Sequence, residues 1–320
     1  MTPPAQSGIR EASSISCGSE LTLCGQQQAL RFGGLEFETG EARPLNVQEA
    51  KSRFRSPDLA DYPELAGYTR EQIYDETIGG GALYLAAWMV RTMRLSQGDL
   101  VLDLGCGKGA TSIFLARHFG VKVIAVDLWH PAAVLNERFT ARGLRQDIVP
   151  LHLDVTRELP FAENYFDAIF CMNSFSFYGG TVEFLRHLLK HLKPGGQLCV
   201  GGEVLSDEFT PEQLANPPYV YAFKLPPPNE NVDVFADDFS KQHTPQWWKD
   251  LFAGSGLLEV TDCHELEDAT ILYEDLVLYN IEHQLDPDDV KISIAQLEYG
   301  RTRRPRKSLF TITARKLGSN

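Results

Sequence analysis

The chain is short of what it would need to reach a membrane, a nucleic acid or an oxidising compartment. Its longest unbroken apolar run near the middle, Ala82–Val90, stops at Arg91 and is too short to span a bilayer. Positive charge is scarce: 30 Lys and Arg stand against 43 Asp and Glu, a net charge of −13. A phosphate backbone needs concentrated positive charge, so nucleic acids and anionic membrane surfaces are both disfavoured as partners. Six cysteines are scattered along the sequence and none has CxxC spacing, which indicates neither a zinc site nor a disulfide framework; no metal is expected. The opening MTPPAQSGIREASS has no apolar core of the signal-peptide kind, and a cytoplasmic location is expected. No internal repeat is found.

What is present is a globular composition, 43% hydrophobic over 320 residues, and an alternation of strand and helix patterns. Short apolar runs at 100–104, 121–128, 148–153, 166–172 and 197–202 read as strands. Helical patterns lie between them, including 182–192 closed by Lys193-Pro194-Gly195-Gly196. A helix over 82–95 precedes the first strand, with Leu83, Ala86, Ala87, Val90 and Met93 on one side. Strands separated by helices of this length predict an α/β fold with a doubly wound, Rossmann-like, mostly parallel seven-stranded sheet. Its last two strands are LLEVTDC and SLFTITARK. Thr244 and Pro245 suit the N-cap and first position of a helix between 244 and 254. A hairpin is expected around Gly33-Gly34, and two helices split at Asp286-Pro287 over 268–298. The domain expectation is an N-terminal extension and cap (1–80), a core (81–202), a Pro-rich cap insertion (203–243) and completion of the sheet (244–320) with a helical insertion at 264–306.

The chemistry concentrates in VLDLGCGKGATSIFLA, where Gly105, Gly107 and Gly109 follow the first strand and open a helix. A strand, a Gly-rich turn and a helix N-terminus suit a nucleotide cofactor, but Gly105-x-Gly107-x-x-Ala110 with Asp127 at the end of the second strand also satisfies a dinucleotide fingerprint. Asp103, two residues before the turn, would oppose a pyrophosphate and suit an ammonium group. Asp154 follows the third strand, where it could accept from an adenine amino group while the Val155 N–H donates to a ring nitrogen.

Taken together, Asp103-Leu104-Gly105-Cys106-Gly107-Lys108-Gly109, Asp127, Asp154-Val155, Leu159-Pro160-Phe161, Phe166-Asp167 and Leu192-Lys193-Pro194-Gly195-Gly196 resemble the class I S-adenosylmethionine-dependent methyltransferases over residues 78–202. GGGALYLAAWMVRTMRL and DLWHP are similar to the small-molecule, cyclopropane-fatty-acid-synthase-like group. The resemblance implies S-adenosylmethionine as cofactor. Gly105 and Gly107 would let the backbone approach its methionyl part, Asp103 would favour its ammonium, Asp127 would accept from both ribose hydroxyls, and Leu128 and Trp129 would cover the adenine. Gly109, Thr111 and Asn173 are implied as further cofactor-site residues. In-line methyl transfer to a small, partly apolar acceptor is expected, with Glu203, His243 and Tyr178 as candidate general bases. Two rivals stand beside it, an NAD(P)-dependent oxidoreductase and a non-catalytic S-adenosylmethionine-binding protein. A homodimer is left open.

Other features read as structural. His187 and His191 have helical metal-ligand spacing but sit in a last turn, where histidine suits the helix dipole. Asn216-Pro217-Pro218-Tyr219 spells an adenine-modifying signature of DNA methyltransferases but falls past the fifth strand, away from the place that chemistry requires. Phe175, Phe177 and Tyr178 should face the crevice at the carboxyl end of the sheet. Arg301, Arg303, Arg304, Arg306 and Lys307 form the one basic cluster, read as a solvated face.

Overall fold

In the computed structural model the described residues are 29–32, 35–38, 45–74, 77, 80–215, 241–267, 269–283, 290, 294, 297–298 and 304–318. The chain divides into a unit of Met1–Arg43 and a unit of Pro44–Asn320. In the first, β1 (Ala29–Phe32) pairs antiparallel with β2 (Leu35–Glu38), which is the expected hairpin. The second begins at Pro44, and within it Leu65, Ile73 and Tyr74 join the apolar cluster that holds Leu83 and Phe114. Ala50 of α1 (Val47–Arg53) and Phe54, which caps it, join Val277 of α9 (Ala269–Glu282) in one apolar cluster.

The seven-stranded sheet runs β5 (Ile148–His152), β4 (Lys122–Asp127), β3 (Leu100–Leu104), β6 (Phe166–Met172), β7 (Leu192–Leu205), β9 (Lys307–Lys316), β8 (Leu258–Glu265). Neighbours from β5 through β7 are parallel, and β9 lies antiparallel between β7 and β8. Strand residues alternate between two cores: Val101, Val123, Ala125, Ala168 and Phe170 face one, Leu102, Val126, Ile169 and Cys171 the other. The first core is covered by α2 (Arg70–Tyr74), α3 (Ala82–Val90), α4 (Ala110–Phe119) and α5 (Ala132–Ala141), the second by α6 (Val182–Leu189) and α8 (Pro245–Gly254), while α7 (Pro211–Ala215) buries none of its residues. The strand order reverses between β3 and β6, and that switch point opens a crevice at the carboxyl ends of the strands. No helix among the described residues is long and apolar enough to cross a membrane.

Three local readings are corrected. The helix expected over 82–95 ends at Val90 and is buried all round except at Trp88, because the sheet lies on one side and residues 62–74 and α9 cover the rest. The helix expected over 182–192 stops at Leu189, and Leu192 already pairs with Phe166. Pro194-Gly195-Gly196 is therefore an irregularity inside β7, with Gly195 at φ +76°, and not a turn before it. Thr244 caps α8 as expected, its side chain accepting from the Trp247 N–H. Of the helices expected over 268–298, α9 is present, and most of 284–300 lies outside the described residues.

Candidate active site

β3 delivers the chain at Leu104 into the glycine turn. The Gly105 and Cys106 N–H groups both donate to the Val126 carbonyl, at 2.8 and 3.0 Å, which fastens the turn to β4. Gly105 has φ +71°, and a Cβ there would sit 2.3 Å from Ser174 Oγ and 2.6 Å from the Tyr178 hydroxyl. Only glycine lets the end of β6 press on the turn this closely. Gly109 has φ +86° and caps α4 without a side chain; a Cβ there would meet the Phe139 ring at 2.5 Å. Its place is thus fixed by α5 packing, and it does not line the cavity described below.

Asp103 is 1% exposed and also lies behind the cavity wall. Its alternation along β3 places it with Val101, toward α4, where the hydroxyls of Thr111 and Ser112 both donate to Oδ2 at 2.6 Å. Oδ1 is buried with no hydrogen-bond partner among the described residues. Burial pushes its pKa up to about 6 against the pull of those two hydroxyls.

Asp127 closes β4. Its Oδ2 accepts from the Gly107 N–H at 2.8 Å, and its Oδ1 accepts from the N–H groups of Trp129 and His130 at 2.8 and 2.9 Å and faces His130 Nδ1 at 3.0 Å. Oδ1 is crowded, so the carboxylate has room for one further donor, on Oδ2. Asp154 accepts from Thr156 N and Oγ1 on one oxygen and from Arg157 Nε on the other, and the Thr156 hydrogen bonds hold its pKa below the ordinary range. Leu128 and Trp129 stand 54% and 61% exposed at the rim, with the Trp129 and Phe177 rings 6.2 Å apart.

A second polar group lies at the carboxyl end of β7. Glu203 Oε1 accepts from the Tyr273 hydroxyl of α9 at 3.0 Å, and Oε2 accepts from Lys307 Nζ of β9 at 2.9 Å. Burial alone would push the Glu203 carboxyl up; the Lys307 charge and the two hydrogen bonds outweigh it and hold the group below its usual range. Asn173, at φ +57°, donates from Nδ2 to the Gly80 carbonyl at 2.9 Å, bringing residue 80 against Glu203.

One cavity of about 590 Å³ joins these groups. Of the expected site residues it is lined by Gly105, Gly107, Thr111, Asp127, Leu128, Trp129, Asp154, Val155, Asn173, Tyr178 and Glu203. Asp103, Gly109 and His243 are not brought to it. His243 instead bonds Glu208 Oε2 through Nδ1 at 2.8 Å and stacks on Trp247 at 3.6 Å. Burial pushes the Tyr178 phenol well above its ordinary range. Gly80, Gly202, Gln242 and Phe310 line the cavity without having been singled out. Gly201-Gly202 at the end of a parallel strand was a readable sign of close approach, since a Cβ on Gly201 would meet Met89 Sδ at 2.5 Å.

The remaining candidates take structural places. His187 Nε2 and His191 Nδ1 meet the carbonyls of Val155 and Ala162 at 3.2 and 3.1 Å. Cys106 is buried and its thiol pushed well up by burial. Trp248 both packs in the core and lines the cavity, whereas Trp247 abuts residue 180. Arg304 pairs with Asp207 and Lys307 with Glu203, so these members of the basic cluster do not form a free solvated face. Asn216-Pro217-Pro218-Tyr219, Arg301 and Arg303 lie outside the described residues.

The donor set fits S-adenosylmethionine. The cavity volume is in the range of about 300–1,000 Å³ that holds small ligands. Ala110 and Thr111 bring to it a helix N-terminus with no side-chain cap, suited to a carboxylate. The remaining acceptor position on Asp127 suits a ribose hydroxyl, though one and not two, and the apolar rim beside Asp154 and Val155 suits an adenine face.

Residues 101–196 match the family model described as a methyltransferase domain. The chain is 31% identical over 112 residues to methyltransferase GfsG of Streptomyces halstedii, covering 35% of this chain and 40% of that protein. It is 30% identical over 118 residues to erythromycin 3''-O-methyltransferase of Saccharopolyspora erythraea, covering 37% and 39%. It therefore spans about two fifths of the length of these curated relatives. Its fold is similar to that of phosphoethanolamine N-methyltransferase 2 from Haemonchus contortus, solved with S-adenosyl-L-methionine: TM-score 0.58, 18% identity, 82% of this chain and 60% of that one. The match favours the methyltransferase over the dinucleotide reading of the glycine turn, and residues 101–196 form a segment similar to a methyltransferase domain.

Proposed function

We propose that the whole chain is a methyltransferase acting on a small, partly apolar acceptor such as a natural product, and not on a nucleic acid. One observation supports this most directly. The cavity that holds the cofactor residues Gly105, Asp127 and Asp154 continues to Gly80, Asn173, Glu203 and Gln242, which lie at the strand ends or in flanking segments. S-adenosylmethionine supplies, when bound, an electrophilic methyl group and a neutral thioether leaving group. The chain's own contribution is placement. Gly107 N–H and the Trp129 and His130 N–H groups lock Asp127 for the ribose, while Trp248 and Phe310 give the cavity an apolar wall. Holding two reactants in line accounts for about 7–11 kcal/mol of barrier. Glu203, kept ionised, orients an acceptor O–H or N–H by accepting from it.

Titration calorimetry of the full chain with S-adenosylmethionine and S-adenosylhomocysteine tests the cofactor half. Micromolar binding is expected, weakened at least tenfold in Asp127→Ala. A tritiated-methyl transfer assay over a panel of small alcohols, phenols and amines tests the catalytic half. Binding by neither ligand refutes the reading. Binding with no transfer to any acceptor supports the non-catalytic rival.

A further inference from the structure

We propose that the acceptor end of this cavity selects by charge: it takes a cationic or neutral hydrogen-bond-donating head group on an apolar body and rejects an anionic one, with Glu203 setting the sign. The proposal rests on the methyltransferase reading of the cavity and names its substrate class.

The charged side chains that line the cavity among the described residues are Asp127, Asp154 and Glu203, and no Lys, Arg or His lines it. The first two stand at the cofactor end, leaving Glu203 as the charge an acceptor meets. Glu203 is held as a carboxylate from behind. It lies opposite Leu309 in the β7–β9 register, and Lys307 lies opposite Leu205, so the ammonium is a diagonal neighbour on the same face. Lys307 reaches Oε2 without lining the cavity, and Tyr273 occupies one position on Oε1. Each oxygen keeps one acceptor position. Gly80, the Tyr273 ring and Leu309 stand beside Glu203, and no cationic side chain among the described residues lines the cavity to receive a second anion.

The test uses the full chain saturated with S-adenosylhomocysteine and three probes that share a phenyl ring and differ in the head group: benzylamine, benzyl alcohol and benzoate. Saturation-transfer NMR titrations give their affinities. Benzylamine and benzyl alcohol are expected to bind, with benzoate at least tenfold weaker than benzylamine. Glu203→Gln should abolish the preference for benzylamine over benzoate while S-adenosylhomocysteine affinity stays within twofold. Glu203→Asp should retain the order, which guards against a folding defect in the first variant. Benzoate binding as tightly as benzylamine overturns the proposal. So does an unchanged preference in Glu203→Gln, or binding by none of the three probes. Failure of S-adenosylhomocysteine itself to bind strikes the methyltransferase reading instead, so the two failures are distinguishable.

Discussion

Asp103→Asn is the substitution whose effect carries a sign and a size that the structure sets. The carboxyl is 1% exposed; two hydroxyls serve Oδ2 and nothing among the described residues serves Oδ1. Burial, with the Asp127 charge adding to it, moves the pKa from 3.8 to about 6. A shift of about two units corresponds to about 3 kcal/mol. The folded chain holds this proton more tightly than the unfolded one, so between about pH 4 and pH 6 it binds more protons. The stability due to this group is complete below pH 4 and is lost as pH rises through about 6. Asparagine has no such titration. Its carbonyl still accepts from Thr111 and Ser112, and any cost of an unsatisfied amide does not vary with pH. Urea unfolding of both proteins at pH 4, 5, 6 and 7 gives the difference directly. Carboxylates with lowered pKa, such as Glu203, Asp154 and Asp167, titrate in both proteins and cancel. The stability of the variant relative to the parent should rise by about 3 kcal/mol from pH 4 to pH 7. A flat difference refutes the buried, half-satisfied carboxylate. S-adenosylhomocysteine affinity, measured on the same samples, asks whether the charge also serves the cofactor's ammonium. A tenfold loss says that it does, and no change removes Asp103 from the contacts.

Two further substitutions separate architecture from chemistry. Gly109→Ala forces a left-handed alanine and a methyl 2.5 Å from Phe139, a loss of about 2–5 kcal/mol by urea unfolding. Where that variant is folded, S-adenosylhomocysteine affinity should stay within twofold, and a large affinity loss with normal stability would return Gly109 to the cofactor site. Asp275→Ala removes a fully buried carboxylate bonded by Arg70 and the Tyr74 hydroxyl, so it should cost about 2–4 kcal/mol and detach α9 from residues 70–74, read as new hydrogen exchange in both. A loss below about 1 kcal/mol would mean that this cluster does not hold the two segments together.

The cofactor end was legible in the sequence because it is local. Asp103 through Ala110 is one turn, and Asp127 and Asp154 mark the ends of the next two strands, each of which declares itself by a β-branched run. Even there, identity was easier to read than direction. Asp103 was expected to face the ligand, yet alternation with Leu102 and Leu104 already assigns it to the opposite core, where Thr111 and Ser112 wait for it. Part of the family resemblance proves to be architecture: Asp167 accepts from the Leu100 N–H and pairs with Lys193, joining β3, β6 and β7 at the end of the sheet remote from the cavity. The acceptor end was not legible because long-range contacts build it. Glu203 meets Tyr273 and Lys307 from 70 and 104 residues away, and His243 is drawn aside by Glu208 across 35 residues. No periodicity or spacing records such pairs, which follow from the antiparallel insertion of β9 beside β7 and from the packing of α9. The glycine turn thus sits in short-range sequence and the surroundings of Glu203 in topology, which is why a motif can be read from the chain where the contacts of Glu203 cannot.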